Sequence, residues 1–143
     1  MFQRILVPVD LSEPAICANV LSVAEGQAKA HGAELHVLTV VPNYTMSLVG
    51  SFFPEGHLKT ATDAARKALG DMLVTRGSEL AIKGHVAAGT IYEEIMRAAD
   101  KLSCDLIVIA AHRPELKDYL LGPNAARVVR HAKQSVFVVR NRD

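Results

Sequence analysis

Asp105-Leu106-Ile107-Val108-Ile109-Ala110-Ala111 is the most apolar run in the chain, and its reading decides the fold. It is strand-length and continuous rather than alternating, which predicts a strand buried on both faces, as in a parallel sheet. Upstream of it, Ile91, Ile95, Ala98/Ala99 and Leu102 keep helical spacing behind Gly89-Thr90. Thr90 and Glu93 there have the T-x-x-E spacing of a capping box. Residues 81–87 predict the preceding strand. Downstream, a polar loop over 112–119 leads to Leu120-Leu121-Gly122-Pro123-Asn124, a helix ending near Lys133, and a last strand over 135–139.

The first half of the chain repeats the pattern. Residues 3–9, Gln3-Arg4-Ile5-Leu6-Val7-Pro8-Val9, form a second continuous apolar run, with Pro8 near its end, where a missing N–H is tolerable. Asp10-Leu11-Ser12-Glu13-Pro14 reads as a loop entering a helix, with Ser12 the candidate cap and Pro14 in the first turn. Ile16, Val20, Val23/Ala24 and Gln27/Ala28 keep helical spacing until Gly32 stops it. A strand over 34–41 follows, closed by Pro42, then an apolar loop over 43–56. A helix over 58–75 places Leu58, Ala61, Ala65, Leu69 and Met72/Leu73 on one face, despite Gly70, with Gly77 behind it. The order is β-α-β-α-β-α-β-α-β. Crossovers of this length impose parallel strands, right-handed connections and helices on both faces of an open α/β sheet.

Composition removes several classes of function. The 143 residues are 50% hydrophobic and 22% charged, the profile of one globular domain over residues 1–143. The formal charge is +1, without the basic excess of a nucleic-acid binder. Cys17 and Cys104 stand far apart and outside any CxxC pattern, which points away from a zinc site or disulfide framework and toward a reducing compartment. The apolar runs are well short of the ~18 residues of a membrane span. Met1-Phe2-Gln3-Arg4 runs directly into strand pattern, leaving no room for a signal peptide. A cytoplasmic protein without membrane or nucleic-acid partners is expected.

Open parallel sheets bind ligands outside the carboxyl ends of their strands, where strand order reverses. That rule selects residues 10–12, 41–43, 88–90 and 111–124. Asp10, directly after a buried strand, has two readings: an acceptor for a ribose hydroxyl or partner of a metal on a polyphosphate, or a local acceptor for backbone N–H groups entering the first helix. The stretch 112–124 holds His112, Arg113 and Lys117 ahead of Gly122. A helix starting there offers unpaired N–H donors and a partial positive charge to a phosphate; alternatively, Gly122-Pro123 is simply a helix start. The chain has no GxxxxGK[ST], GxGxxG or GxSxG. His36 and His85 lie in strand patterns and read as structural, while His31, His57 and His131 fall at helix ends. Glu93 and Glu94 are adjacent and cannot pair on one helix face. No catalytic constellation emerges.

Ile5-Leu6-Val7-Pro8-Val9-Asp10-Leu11-Ser12, the Gly89-Thr90 turn, Ile109-Ala110-Ala111-His112-Arg113-Pro114, Leu120-Leu121-Gly122-Pro123-Asn124, Val129-Arg130-His131-Ala132 and Val136-Phe137-Val138-Val139-Arg140 together resemble the universal stress protein family over essentially the whole chain. Within it, the chain resembles the small single-domain bacterial subgroup with a His-Arg-Pro loop after strand four. The resemblance implies a Rossmann-like five-stranded parallel sheet of order 3-2-1-4-5 and a crevice between strands one and four. It implies ATP, or ADP or AMP, with Mg²⁺ a possible companion held through Asp10. By that analogy Pro8, Val9, Asp10 and Val40 meet the nucleoside, and Ala110, His112, Arg113, Gly122, Pro123 and Asn124 line the phosphate site.

ATP-binding members carry G-x-x-G-x9-G-[ST]. Here Ala110 and Arg113 take the first two glycine positions, the interval to Gly122 is one residue shorter, and Pro123 replaces the Ser/Thr. Losing a hydrogen bond to a charged group is worth ~1.5–3 kcal/mol. Arg113 adds a guanidinium fork suited to phosphate, and Asn124 adds an amide, so ATP binding is expected to persist. The resemblance also implies a homodimer through the last strand, Ser135, Val136, Phe137, Val138 and Val139, an apolar edge without protective charge. Three functional classes follow: an ATP-binding regulatory protein of the stress response, a nucleotide-free interaction protein, or a slow ATPase. In the first, the apolar stretch from Tyr44 to Phe53 is a candidate partner surface or lid; alternatively, it folds over its own sheet or the dimer seam.

Overall fold

The computed structural model describes residues 1–42, 56–111 and 122–141. Five strands, β1 (Arg4–Pro8), β2 (Glu34–Pro42), β3 (Ile82–Gly89), β4 (Leu106–Ala111) and β5 (Ser135–Arg140), alternate with four helices, α1 (Pro14–His31), α2 (His57–Arg76), α3 (Ile91–Lys101) and α4 (Pro123–His131). The strands form one sheet in the order β3-β2-β1-β4-β5, with every neighbouring pair parallel. The expected open α/β architecture and strand order are therefore present. The apolar loop, apart from Gly56, lies outside the described residues.

Two cores flank the sheet. Ile5, Val7, Leu35, Val37 and Val108 face Val20, Leu21, Ala24 and Ala28 of α1 and Leu69 of α2. Leu6, Leu38, Ile107 and Ile109 face Ile95 and Ala99 of α3 and Ala125 and Val128 of α4. Alternate residues of β1 thus supply opposite cores, the consequence of the two-residue strand period. This is why its sequence is continuously apolar.

Helix ends follow their punctuation in part. Gly32 adopts φ 65° and its N–H bonds to the Ala28 carbonyl, closing α1 in the left-handed conformation that glycine takes without steric penalty. Gly89 ends β3 at φ 150°, and a Cβ there would lie 2.9 Å from Glu94 Oε2. Two predicted caps are corrected. The N-cap of α1 is Glu13 without a side-chain cap bond, because Ser12 turns back: its N–H and Oγ–H donate to Asp10 Oδ1 at 3.0 and 2.6 Å. Thr90 is the N-cap of α3 but makes no side-chain cap bond, and Glu93 instead accepts from the Tyr92 hydroxyl at 3.4 Å.

The predicted apolar face of α2 is also narrower than its sequence suggests. Only Leu69 is buried, while Leu58 is 41% exposed. The helix covers β3, an edge strand with less apolar surface to offer. Arg76 ties α2 to α1: its Nε and Nη2 donate to the two Glu25 carboxylate oxygens at 3.0 and 2.8 Å, and Nη2 also donates to Ser22 Oγ at 2.9 Å. That hydrogen bonding holds the Glu25 carboxyl below the usual carboxylate range. Asp105, predicted as the first residue of β4, precedes it and accepts the backbone N–H groups of Gln3 and Arg4 at 2.9–3.1 Å. Burial alone would raise its pKa, but those bonds outweigh burial and keep it low.

Candidate functional site

β1 stops short of its neighbours. Its pairing with β2 ends at Pro8 opposite Leu38, followed by Val9 N–H donating to the Leu38 carbonyl at 2.8 Å. Its pairing with β4 ends at Leu6 opposite Ile107. Beyond those points β2 continues to Pro42 paired only with β3, and β4 continues to Ala111 paired only with β5. The two strands therefore turn facing, strand-free backbone edges over the end of β1. A cleft of about 510 Å³ opens there, at the carboxyl ends of the strands.

Pro8, Val9, Asp10, Val40, Ala110, Gly122, Pro123 and Asn124 all line this cleft, so one concavity gathers every predicted nucleotide-site residue that the structure describes. His112 and Arg113 lie outside the described residues. The walls also include residues that sequence reasoning left out: Ile16, Cys17 and Val20 of α1, Leu38 and Thr39 of β2, and Ile91 and Ile95 of α3. The result is an apolar slot with a few polar groups at its rim, the usual composition of a small-molecule site.

The polar groups come from loop and helix ends. Asp10 Oδ1 is occupied by Ser12, so the local-acceptor reading holds for that oxygen, while among the described residues Oδ2 receives no hydrogen bond. The Asp10 carbonyl accepts from Glu13 N–H at 3.0 Å and from Cys17 Sγ–H at 2.9 Å. Burial, followed by the nearby Asp10 charge, pushes the Cys17 thiol up, so it stays protonated. Gly122 caps α4 with φ −69° and ψ 162°, and Pro123 is its first residue. The helix-start reading is therefore realised, and it leaves donors behind. Ala126 N–H makes the first intrahelical bond, to Gly122, so the N–H groups of Asn124 and Ala125 have no intrahelical partner. Both residues line the cleft. Thr39, only 6% exposed, is a buried polar residue on the same wall.

The carboxylate suits a hydroxyl donor, the two amides without an intrahelical partner suit an anion, and the apolar walls suit a flat apolar group. Among the described residues no cluster of three or more His, Cys, Asp or Glu is arranged to hold a metal ion, and no helix is long and apolar enough to cross a membrane. Cys17 and Cys104 are free thiols, both buried.

Comparison with known proteins agrees with this architecture. The sequence model of the universal stress protein family matches residues 1–140. Universal stress protein G of Shigella flexneri is 30% identical over 145 residues, covering 98% of this chain and 100% of its own. Universal stress protein UspA from Lactobacillus plantarum superposes with a TM-score of 0.68 at 28% identity, over 96% of this chain and 97% of that one. A universal stress protein from Archaeoglobus fulgidus in complex with dAMP shares the fold at 22% identity, with a TM-score of 0.59 over 95% and 96% of the two chains. The chain belongs to the universal stress protein family.

Proposed function

We propose that this chain is an adenine-nucleotide-binding regulatory protein of the stress response, with ATP as its ligand. The observation that carries the reading is the cleft itself: β2 and β4 overrun β1, and the cleft that opens there is also lined by Asn124 and Ala125, whose amides have no intrahelical partner. A relative of the same fold is in complex with dAMP, which supports the same class of ligand. The nucleobase lies against Val9, the β2 edge at Val40 and the apolar side chains of Ile91 and Ile109. Asp10 Oδ2 accepts from the ribose. The amides of Asn124 and Ala125, at the positive end of α4, hold the inner phosphate. Arg113 grips the outer phosphates in place of the missing glycine loop. Mg²⁺ enters with the polyphosphate, and Asp10 is the sole carboxylate it meets among the described lining residues.

Titration calorimetry with ATP, ADP and AMP tests this reading. Arg113→Ala is expected to weaken ATP about tenfold to hundredfold, from the ~1.5–3 kcal/mol of a charged hydrogen bond, and to leave AMP nearly unchanged. Unchanged ATP affinity removes Arg113 from the site. Absence of binding by any of the three nucleotides to the native chain leaves a nucleotide-free interaction protein.

The proposal includes a homodimer joined through β5. Among the described residues that strand pairs only with β4, and Phe137 on it is 39% exposed, an edge of the kind that pairs with another chain. Light scattering at micromolar concentration is expected to give the dimer mass; a monomer mass contradicts it.

A further inference from the structure

Outside the residues that line the cleft, β2 and β3 carry a hydrogen-bonded chain of three titratable side chains. His36 is 4% exposed. Its Nε2 lies 3.2 Å from Glu34 Oε1 and its Nδ1 lies 2.9 Å from His85 Nε2. The two imidazoles stack with centroids 5.1 Å apart and planes inclined by 26°. Glu34, whose carboxyl is held low first by the His36 hydrogen bond and then by the Lys83 charge, is an acceptor only. The His36 Nε2 atom therefore carries a hydrogen, and the neutral ring offers Nδ1 as acceptor to His85 Nε2–H.

This arrangement accommodates one added proton, either on the outer His85 Nδ1 or, with the inter-ring bond reversed, on His36. It does not accommodate two, because both facing nitrogens would then carry hydrogens across 2.9 Å. The surroundings oppose positive charge as well. On β3, Lys83 Nζ is 3.6 Å from Glu34 Oε1, and on β1, Arg4 Nε is 3.7 Å from it. Lys101 at the end of α3 acts on His85. Past α3, the Cys104 thiol is pushed up to about 11, chiefly by burial, and stays neutral. Asp105 is engaged by the amides of Gln3 and Arg4. Glu34 is thus the carboxylate in direct contact with the pair, and Lys83 and Arg4 already share it.

We infer that His36 and His85 form an acid-sensitive latch between β2 and the edge strand β3, closed while the pair holds at most one proton and opened by a second. Burial, followed by His36, Lys83 and Lys101, holds His85 below the ordinary histidine value, which is ~6.5. As pH falls, the unfolded chain therefore binds protons first. The contribution to stability is complete above ~6.5 and is lost as the pH falls through the folded-state value. Leu38, the register partner of His85, lines the cleft.

Urea unfolding midpoints at about pH 8 and about pH 5, on either side of the histidine range, together with imidazole NMR titrations of the native chain, test the inference. In His85→Gln the amide N–H still donates to His36 Nδ1 but gains no proton. The native midpoint is expected to fall between the two pH values, and that of His85→Gln to fall less than half as far. The His85 imidazole is expected to titrate below the ordinary histidine value. Equal falls in both proteins, or a His85 titration at the ordinary histidine value, overturn the latch. If His85→Gln does not fold, the NMR titration decides alone.

Discussion

Ala110→Phe is expected to lower ATP affinity at least about a hundredfold, which is about 2.8 kcal/mol, without unfolding the protein. Ala110 stands near the end of β4, half-buried on the cleft wall. A phenyl ring there projects into a concavity of about 510 Å³ that a nucleotide must largely fill. Ala110 also packs against the core on the α1 side, so the fold of the variant is checked alongside its affinity. Ala110→Gly is the matched control, since it restores the first glycine of the family loop, and it is expected to bind ATP at least as tightly as the native chain. Calorimetry on both, with circular dichroism to check the fold, separates blocking from unfolding. Native-like affinity in Ala110→Phe places the nucleotide elsewhere.

The largest effect on stability is expected at Leu21. Its side chain is fully buried on the inner face of α1, in the core that includes Ile5, Val7 and Val108. Truncation to alanine removes its transfer free energy and leaves a void that a sheet-and-helix layer closes only in part, a loss of about 2–5 kcal/mol. Val74→Ala, at a position 81% exposed, is expected to change stability by no more than about 0.5 kcal/mol. Urea unfolding of the two variants against the native chain provides the comparison. A loss below about 1 kcal/mol in Leu21→Ala contradicts the packing of α1 described here.

Most of the architecture was legible because its signals are local. Continuous apolar runs such as 106–111 report burial on both faces, and Gly32 and Gly77 mark helix ends through their left-handed conformations. The failures involve choices between partners. Ser12 has the chemistry of a cap, but Asp10, two residues away, offers its hydroxyl and amide a stronger acceptor. Leu58 keeps helical spacing with Leu69, yet an edge strand lies beneath α2, so spacing overstates burial. At the cleft, Asp10 and residues 122–124 were found by the carboxyl-end rule, and Pro8, Val9, Val40 and Ala110 by the family resemblance. Ile16, Ile91 and Ile95 were not, because a helix residue joins such a wall only through the way whole layers pack. The His36–His85 contact is of the same kind: two strand histidines at a separation of 49 residues meet only through the β2–β3 register.

The most direct test of the central claim is a map of backbone amide shifts in an ¹⁵N-labelled sample titrated with ATP. The account predicts saturable changes concentrated at Asp10, Val40, Ala110, Asn124 and Ala125, with the amino ends of the strands little affected. Changes confined to other surfaces, or none at millimolar ATP, contradict the assignment of this cleft as a nucleotide site.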